Sequence, residues 1–186
     1  MKKIKVSKSM RVGWEKFMER PWYLLGISLA VLVLSTVTAS QGAFYTALSS
    51  IIMGGFFMLL LSHHDGKKVV LDDLFSINDR WISFTFVIVI KSIAILIGLF
   101  LFIVPGVYLL LRWMFAEFLV LDKNMKPMEA FRVSSEMTKG HMWKLFWFTI
   151  VSLLILALGL VLLVVGFFPA LLIVTFAIID IYRRLS

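Results

Sequence analysis

Apolar blocks dominate this sequence, and the polar residues between them fall into two kinds of connector. Six apolar stretches cover residues 23–39, 43–62, 82–104, 106–121, 145–165 and 167–181. A helix needs about 17–25 residues to cross roughly 30 Å of hydrocarbon. Four stretches meet that length comfortably; those beginning at 106 and 167 are shorter and call for tilt, local thinning or flanking residues. Short uncharged turns are expected at Ser40 to Gly42, at Pro105-Gly106 and around Gly166 to Pro169, because glycine and proline interrupt the apolar runs there. Longer polar connectors separate the resulting pairs. The pattern predicts an all-α membrane protein with six transmembrane helices, arranged as three tandem helical hairpins with amphipathic helices between them. Shallow re-entrant hairpins are the competing geometry.

The leading connectors show helical periodicity. Met10, Gly13, Trp14, Phe17 and Met18 share one face of the first, away from most of Arg11, Glu15, Lys16 and Glu19. In the second, Val70, Leu71, Leu74, Phe75 and Trp81 recur at helical spacing beside Asp72, Asp73, Asp79 and Arg80. The third runs from Pro127, which suits a helix start, to Gly140, which suits a stop, with a weaker stripe of Ala130, Phe131, Ser134, Ser135 and Thr138. Such segments either rest in the headgroup layer or dock a partner or lipid. Each precedes a tryptophan and two apolar stretches. Trp22, Trp81 and Trp143 are 59 and 62 residues apart. Arg11-Val12 precedes Trp22 by the interval at which Arg132-Val133 precedes Trp143. The chain is therefore read as one membrane domain, 1–186, built from repeats 1–62, 67–122 and 127–186. An even number of spans per unit makes the repeats parallel, unlike inverted-repeat transporters.

Charge orients this arrangement. Of 19 Lys and Arg residues, 17 lie in the termini and the two long connectors, and the three short turns carry none. That is the positive-inside asymmetry, so both termini are expected in the cytoplasm of a multi-pass cell-membrane protein. Composition agrees: 61% of residues are apolar and the mean hydropathy is +0.97, beyond what one soluble core can bury. The net charge of +8 is accounted for by juxtamembrane residues facing anionic headgroups, and no aromatic-and-basic module points to nucleic acid. With no cysteine, disulfides and thiolate chemistry are excluded. Glu15 and Glu19 argue against a cleaved signal peptide, so the first stretch is read as a retained span.

Polar residues inside the apolar stretches are the candidate chemistry. Lys91 lies about 12 Å, Arg112 roughly 15 Å and Glu117 about 8 Å from the cytoplasmic ends of their stretches at ~1.5 Å per residue. These depths permit a Lys91–Glu117 pair and leave Arg112 to helix-end carbonyls, Asp180 or lipid phosphate. An unpaired intramembrane charge costs roughly 2.5–3.5 kcal/mol, so each needs a reason. Structural pairing or snorkelling, a polar cavity for a headgroup, and an ion path all supply one. Lys123, Lys126, Arg132 and Lys139 are candidate contacts to anionic lipid or a partner. His63, His64 and Asp65 read as a solvated loop rather than a metal site, and Ser134-Ser135 has no base or orienting acid beside it. No catalytic, cofactor or metal site is expected. Gly54-Gly55 suits close helix packing.

Pro105-Gly106, Tyr108, Arg112, Glu129-Ala130, Ser134, Thr138-Lys139-Gly140-His141 and Trp143-Lys144 together resemble a group of bacterial integral-membrane families. These are related to the membrane domain of glycerophosphodiester phosphodiesterases and to uncharacterised domains like it. About forty residues, 105 to 146, carry the resemblance. It implies a bacterial inner-membrane module in which Pro105, Gly106, Tyr108, Ala130, Ser134 and Gly140 are structural, while phosphodiester hydrolysis belongs to a separate soluble domain. The expected function is non-enzymatic: organising or regulating a membrane-protein partner, or binding phospholipid at the cytoplasmic face. The alternative is a small transporter or channel with a path near Lys91, Arg112 and Glu117. A homo-oligomer is left open.

Overall fold

The computed structural model describes residues 5–38, 43–67, 80–101, 103–161 and 163–186, and these are all helix, turn or short connector. The helices are α1 (Val6–Glu19), α2 (Pro21–Thr38), α3 (Ala43–His64), α4 (Trp81–Leu101), α5 (Ile103–Arg112), α6 (Ala116–Lys123), α7 (Pro127–Thr138), α8 (Met142–Val161) and α9 (Leu163–Leu185). The expected turn at Ser40 to Gly42, and the second amphipathic segment up to Asp79, lie outside the described residues.

Four windows are long and apolar enough to cross a membrane: Trp81–Gly98, Val104–Lys123, Met142–Val161 and Gly166–Leu185. Pro21–Val33 and Leu48–His64 are shorter apolar helices among the described residues. The outer faces of α4 and α8 present Phe86, Ile93, Leu96, Leu153, Leu154 and Leu158 to the surroundings. An apolar surface that extensive is at home in lipid rather than water. The chain is a multi-pass, all-helical membrane protein on this evidence of length, hydropathy and exposed apolar surface.

The core forms where α3, α4, α6 and α9 converge. Leu59, Leu60, Phe84, Phe118, Leu119, Phe176 and Ile179 are buried there. Phe57 meets Phe118 edge-on at 5.6 Å between ring centres, and Phe118 stacks on Tyr182 at the same separation. Such aromatic pairs contribute about 0.5–1.5 kcal/mol beyond area burial.

Two of the expected turns are displaced. α4 ends at Leu101 and α5 opens at Ile103, so Pro105 and Gly106 lie inside α5. Proline is tolerated there because the first N–H groups of a helix have no intrahelical acceptor. Gly166 and Pro169 likewise lie inside α9, which starts at Leu163. The glycines serve packing instead. A Cβ at Gly98 would stand 2.9 Å from Gly106 Cα, and one at Gly159 would stand 2.8 Å from the Gly166 carbonyl oxygen. Small residues facing one another let two neighbouring helices approach closely.

α1 does more than rest in an interfacial layer. Its buried face is Ser9, Gly13 and Phe17, whereas Trp14 and Met18 are half exposed. A Cβ on Gly13 would lie 2.3 Å from the Ile173 carbonyl oxygen and 3.2 Å from the Ala177 nitrogen. Only glycine admits the backbone of α9 that closely. His63 completes the attachment: its Nε2 lies 3.2 Å from the Lys16 carbonyl oxygen, which calls for the Nε2–H tautomer, and 3.4 Å from Glu19. The imidazole thus caps an orphan carbonyl in the last turn of α1. His63 and His64 end α3 and His63 is buried, which corrects the solvated-loop reading.

Candidate functional site

The fourth apolar stretch is not one helix. α5 ends at Arg112, Trp113 to Phe115 form a turn, and α6 resumes at Ala116. A break leaves backbone groups without helical partners, and inside an apolar environment each must be satisfied locally. Ser134 of α7 does this from both sides. Its Oγ donates to the Arg112 carbonyl at 2.9 Å and accepts from the Phe115 N–H at 3.2 Å. Thr138 supports it, donating to the Ser134 carbonyl at 3.0 Å. Ala130, Ser134 and Thr138 recur every fourth residue and form the buried face of α7. Pro127 opens that helix, and Gly140, at φ 81°, turns the chain from α7 into α8. The left-handed conformation there is one that glycine adopts without strain.

Arg112 leaves the break on the α7–α8 side. Its Nη1 donates to the Tyr108 hydroxyl at 2.7 Å, and its guanidinium carbon lies 5.5 Å from the centre of the Tyr108 ring. It lines a polar cavity of about 290 Å³ with Tyr108, Ser135, Thr138, Lys139 and Gly140. A second cavity of about 420 Å³ adjoins it between α5 and α8, walled by Val104, Val107, Leu111, Trp143 and Phe146. Tyr108 and Met142 belong to both. Chemically the pair offers cationic hydrogen-bond donors at the mouth of an apolar slot.

Lys91 and Glu117, which the depth argument brings within reach, form an ion pair of 2.9 Å between α4 and α6. Arg112 does not join it. Asp180 is also elsewhere: Arg184, one turn along α9, holds it at 2.7 Å. Lys91, Arg112, Glu117 and Asp180 therefore do not share one polar path. Lys123 at the end of α6, Arg132 on α7, and Lys126 and Lys139 at the two ends of α7 are all exposed. Pro105 is exposed, whereas Gly106 and Ala130 are buried. Among the described residues, no three His, Asp or Glu side chains gather as metal ligands.

A cluster that the sequence reading did not identify ties helix ends together. Arg183 bonds Asp65 past α3 at 2.6 Å and Asp122 of α6 at 2.6 Å, and the Tyr182 hydroxyl donates to Asp122 at 2.8 Å. Arg80, just before α4, donates to the Leu121 carbonyl nearby. The available signal was modest: Asp65 and Asp122 follow apolar stretches by a few residues, as Arg183 does. Charges placed that way at several helix ends can meet only if those ends lie together.

No family model, curated protein or solved structure matches this chain. The likeness drawn from residues 105 to 146 rests on those residues alone.

Proposed function

We propose that this chain is a non-enzymatic, six-pass module of the cytoplasmic membrane, with both termini inside. In this reading it binds phospholipid, or organises a membrane-protein partner, through its basic face. The observation that carries the proposal is the Asp65–Arg183–Asp122 cluster, which gathers the C-terminal ends of α3, α6 and α9. Three hairpins entering from one side would bring those three ends together. The exposed Lys123, Lys126 and Arg132 flank the same region of sequence, where positive charge favours the cytoplasmic leaflet.

The absence of cysteine makes a direct topology test available. Single cysteines at Gln41 and Lys67 should label on opposite sides of sealed cells with a membrane-impermeant maleimide. Gln41→Cys should react from outside, and Lys67→Cys only after permeabilisation. Equal reactivity from outside would remove the six-pass reading. For the binding role, K123E/K126E/R132E/K139E should lose co-purifying anionic lipid, measured by lipid mass spectrometry, or lose a co-purifying protein. Retention of both would remove the role while leaving the topology standing.

A second reading, a small transporter or channel, draws on the Lys91–Glu117 pair between two spans. It requires solute flux in proteoliposomes that changes with Lys91→Ala.

A further inference from the structure

We propose that the two adjoining cavities among α5, α7 and α8 hold one anionic phospholipid, its phosphate against Arg112 and Lys139 and an acyl chain in the slot. This rests on the lipid-binding reading above and assigns it a specific site.

Three observations lead to that occupant. The polar and apolar cavities lie side by side, with Tyr108 and Met142 lining both, so the headgroup and an acyl chain of one amphiphile have neighbouring places. The slot, about 420 Å³, has the size of a small-molecule site, roughly 300–1,000 Å³. Its walls carry no charged side chain, and Val104 and Trp143 are 79% and 70% exposed, so it opens sideways toward lipid. At the polar end, neither Arg112 nor Lys139 has a carboxylate partner among the described residues, although Lys91, Arg183 and Arg184 do. The Tyr108 hydroxyl engages one Nη of Arg112, which orients a guanidinium whose remaining N–H groups form a fork suited to phosphate oxygens. Lys139 adds a second positive charge in the same cavity wall. Two cations favour a headgroup with net negative charge over a zwitterionic one, in which a bound ammonium would be repelled.

Trp143 supplies the readout. The protein is reconstituted in phosphatidylcholine vesicles containing increasing fractions of phosphatidylglycerol with brominated acyl chains, or brominated phosphatidylcholine as the neutral arm. The Trp143 signal is the fluorescence difference between wild type and Trp143→Phe, which keeps an aromatic ring in the slot wall. Quenching is expected to saturate at a low fraction of brominated phosphatidylglycerol, with about tenfold preference over the neutral lipid. R112Q and K139Q should each bring the preference close to unity; Lys139 is exposed, so its variant keeps the fold even if R112Q does not. Val107→Phe should fill the slot and reduce quenching by both lipids. K123E/K126E/R132E should leave the Trp143 preference in place. Equal quenching by the two lipids in wild type, or an unchanged preference in K139Q, would overturn the site. Loss of preference only in K123E/K126E/R132E would reject the slot but keep headgroup binding; no effect in any variant would reject both. Displacement by soluble glycerol phosphate alone would show a free phosphate ligand and overturn the lipid assignment.

Discussion

Ser134 shows how a residue that looks like a nucleophile can be wholly occupied by structure. Its hydroxyl is the only side-chain oxygen bonded to both edges of the α5–α6 break among the described residues. Replacing it with alanine strands a buried N–H and leaves a carbonyl with weaker partners, which costs about 1–3 kcal/mol for an unsatisfied group. S134A should therefore lower the melting temperature in detergent. An unchanged melt would mean the break is satisfied in some other way. The aligned position in the first unit is Gly13, since Arg11-Val12 matches Arg132-Val133. Gly13 also sits against the backbone of a closing span, at Ile173 and Ala177. Each of these two helices thus approaches the backbone of another, by a hydroxyl at Ser134 and by the absence of a side chain at Gly13. Gly13→Leu should detach α1 from α9, seen as protease sensitivity near residue 20, because a Cβ has no room there. The alignment exposed the correspondence between the two positions, but their contacts depended on which span each leading helix lies against, and local periodicity does not encode that.

Lys91 and Glu117 join two helices that otherwise meet through apolar side chains. Their pairing was legible because helical rise converts sequence position into depth. The break between α5 and α6 was not, since Trp113, Met114 and Phe115 keep the stretch apolar while the backbone departs from helix. Pro105-Gly106 and Gly166 to Pro169 misled for a related reason. Glycine and proline signal turns in water, whereas in these apolar helices the glycines serve close packing, Pro105 occupies a first turn and Pro169 lies further inside α9. The ion pair makes a prediction about these two helices. Its side chains keep 17% and 19% exposure, so the loss from removing one partner should fall below the roughly 3–5 kcal/mol of a fully buried pair. Glu117→Gln should destabilise the fold by leaving Lys91 uncompensated. K91M/E117L, which removes both charges, should restore most of that loss. If the double variant unfolds as readily as Glu117→Gln, the pair contributes more than mutual neutralisation. Equilibrium unfolding in mixed detergent measures all three proteins.

Among the described residues, Arg183 makes the ion pairs of greatest sequence separation, 118 residues to Asp65 and 61 to Asp122. Charge and hydropathy give an expected sidedness for the bundle, but they do not reveal this clamp. Each charge looks like ordinary juxtamembrane polarity until the helix ends are brought together. One guanidinium serving two carboxylates leaves both uncompensated when it is lost, so the effect should spread to α3 and α6 together rather than loosen one contact. Arg183→Gln is therefore expected to speed amide hydrogen exchange at residues 61–66 and 119–123, with little change in the middle of α4 and α8. D65N/D122N should give the same footprint with Arg183 intact, because the clamp fails from either side. Tyr182→Phe removes only one bond to Asp122 and should give a smaller change confined to 119–123. If Arg183→Gln protected α3 and α6 unequally, leaving one at wild-type exchange, the three ends would not be held as a unit. The parallel-hairpin reading would then lose its principal structural support, because only ends that arrive on one side can be tied by one side chain.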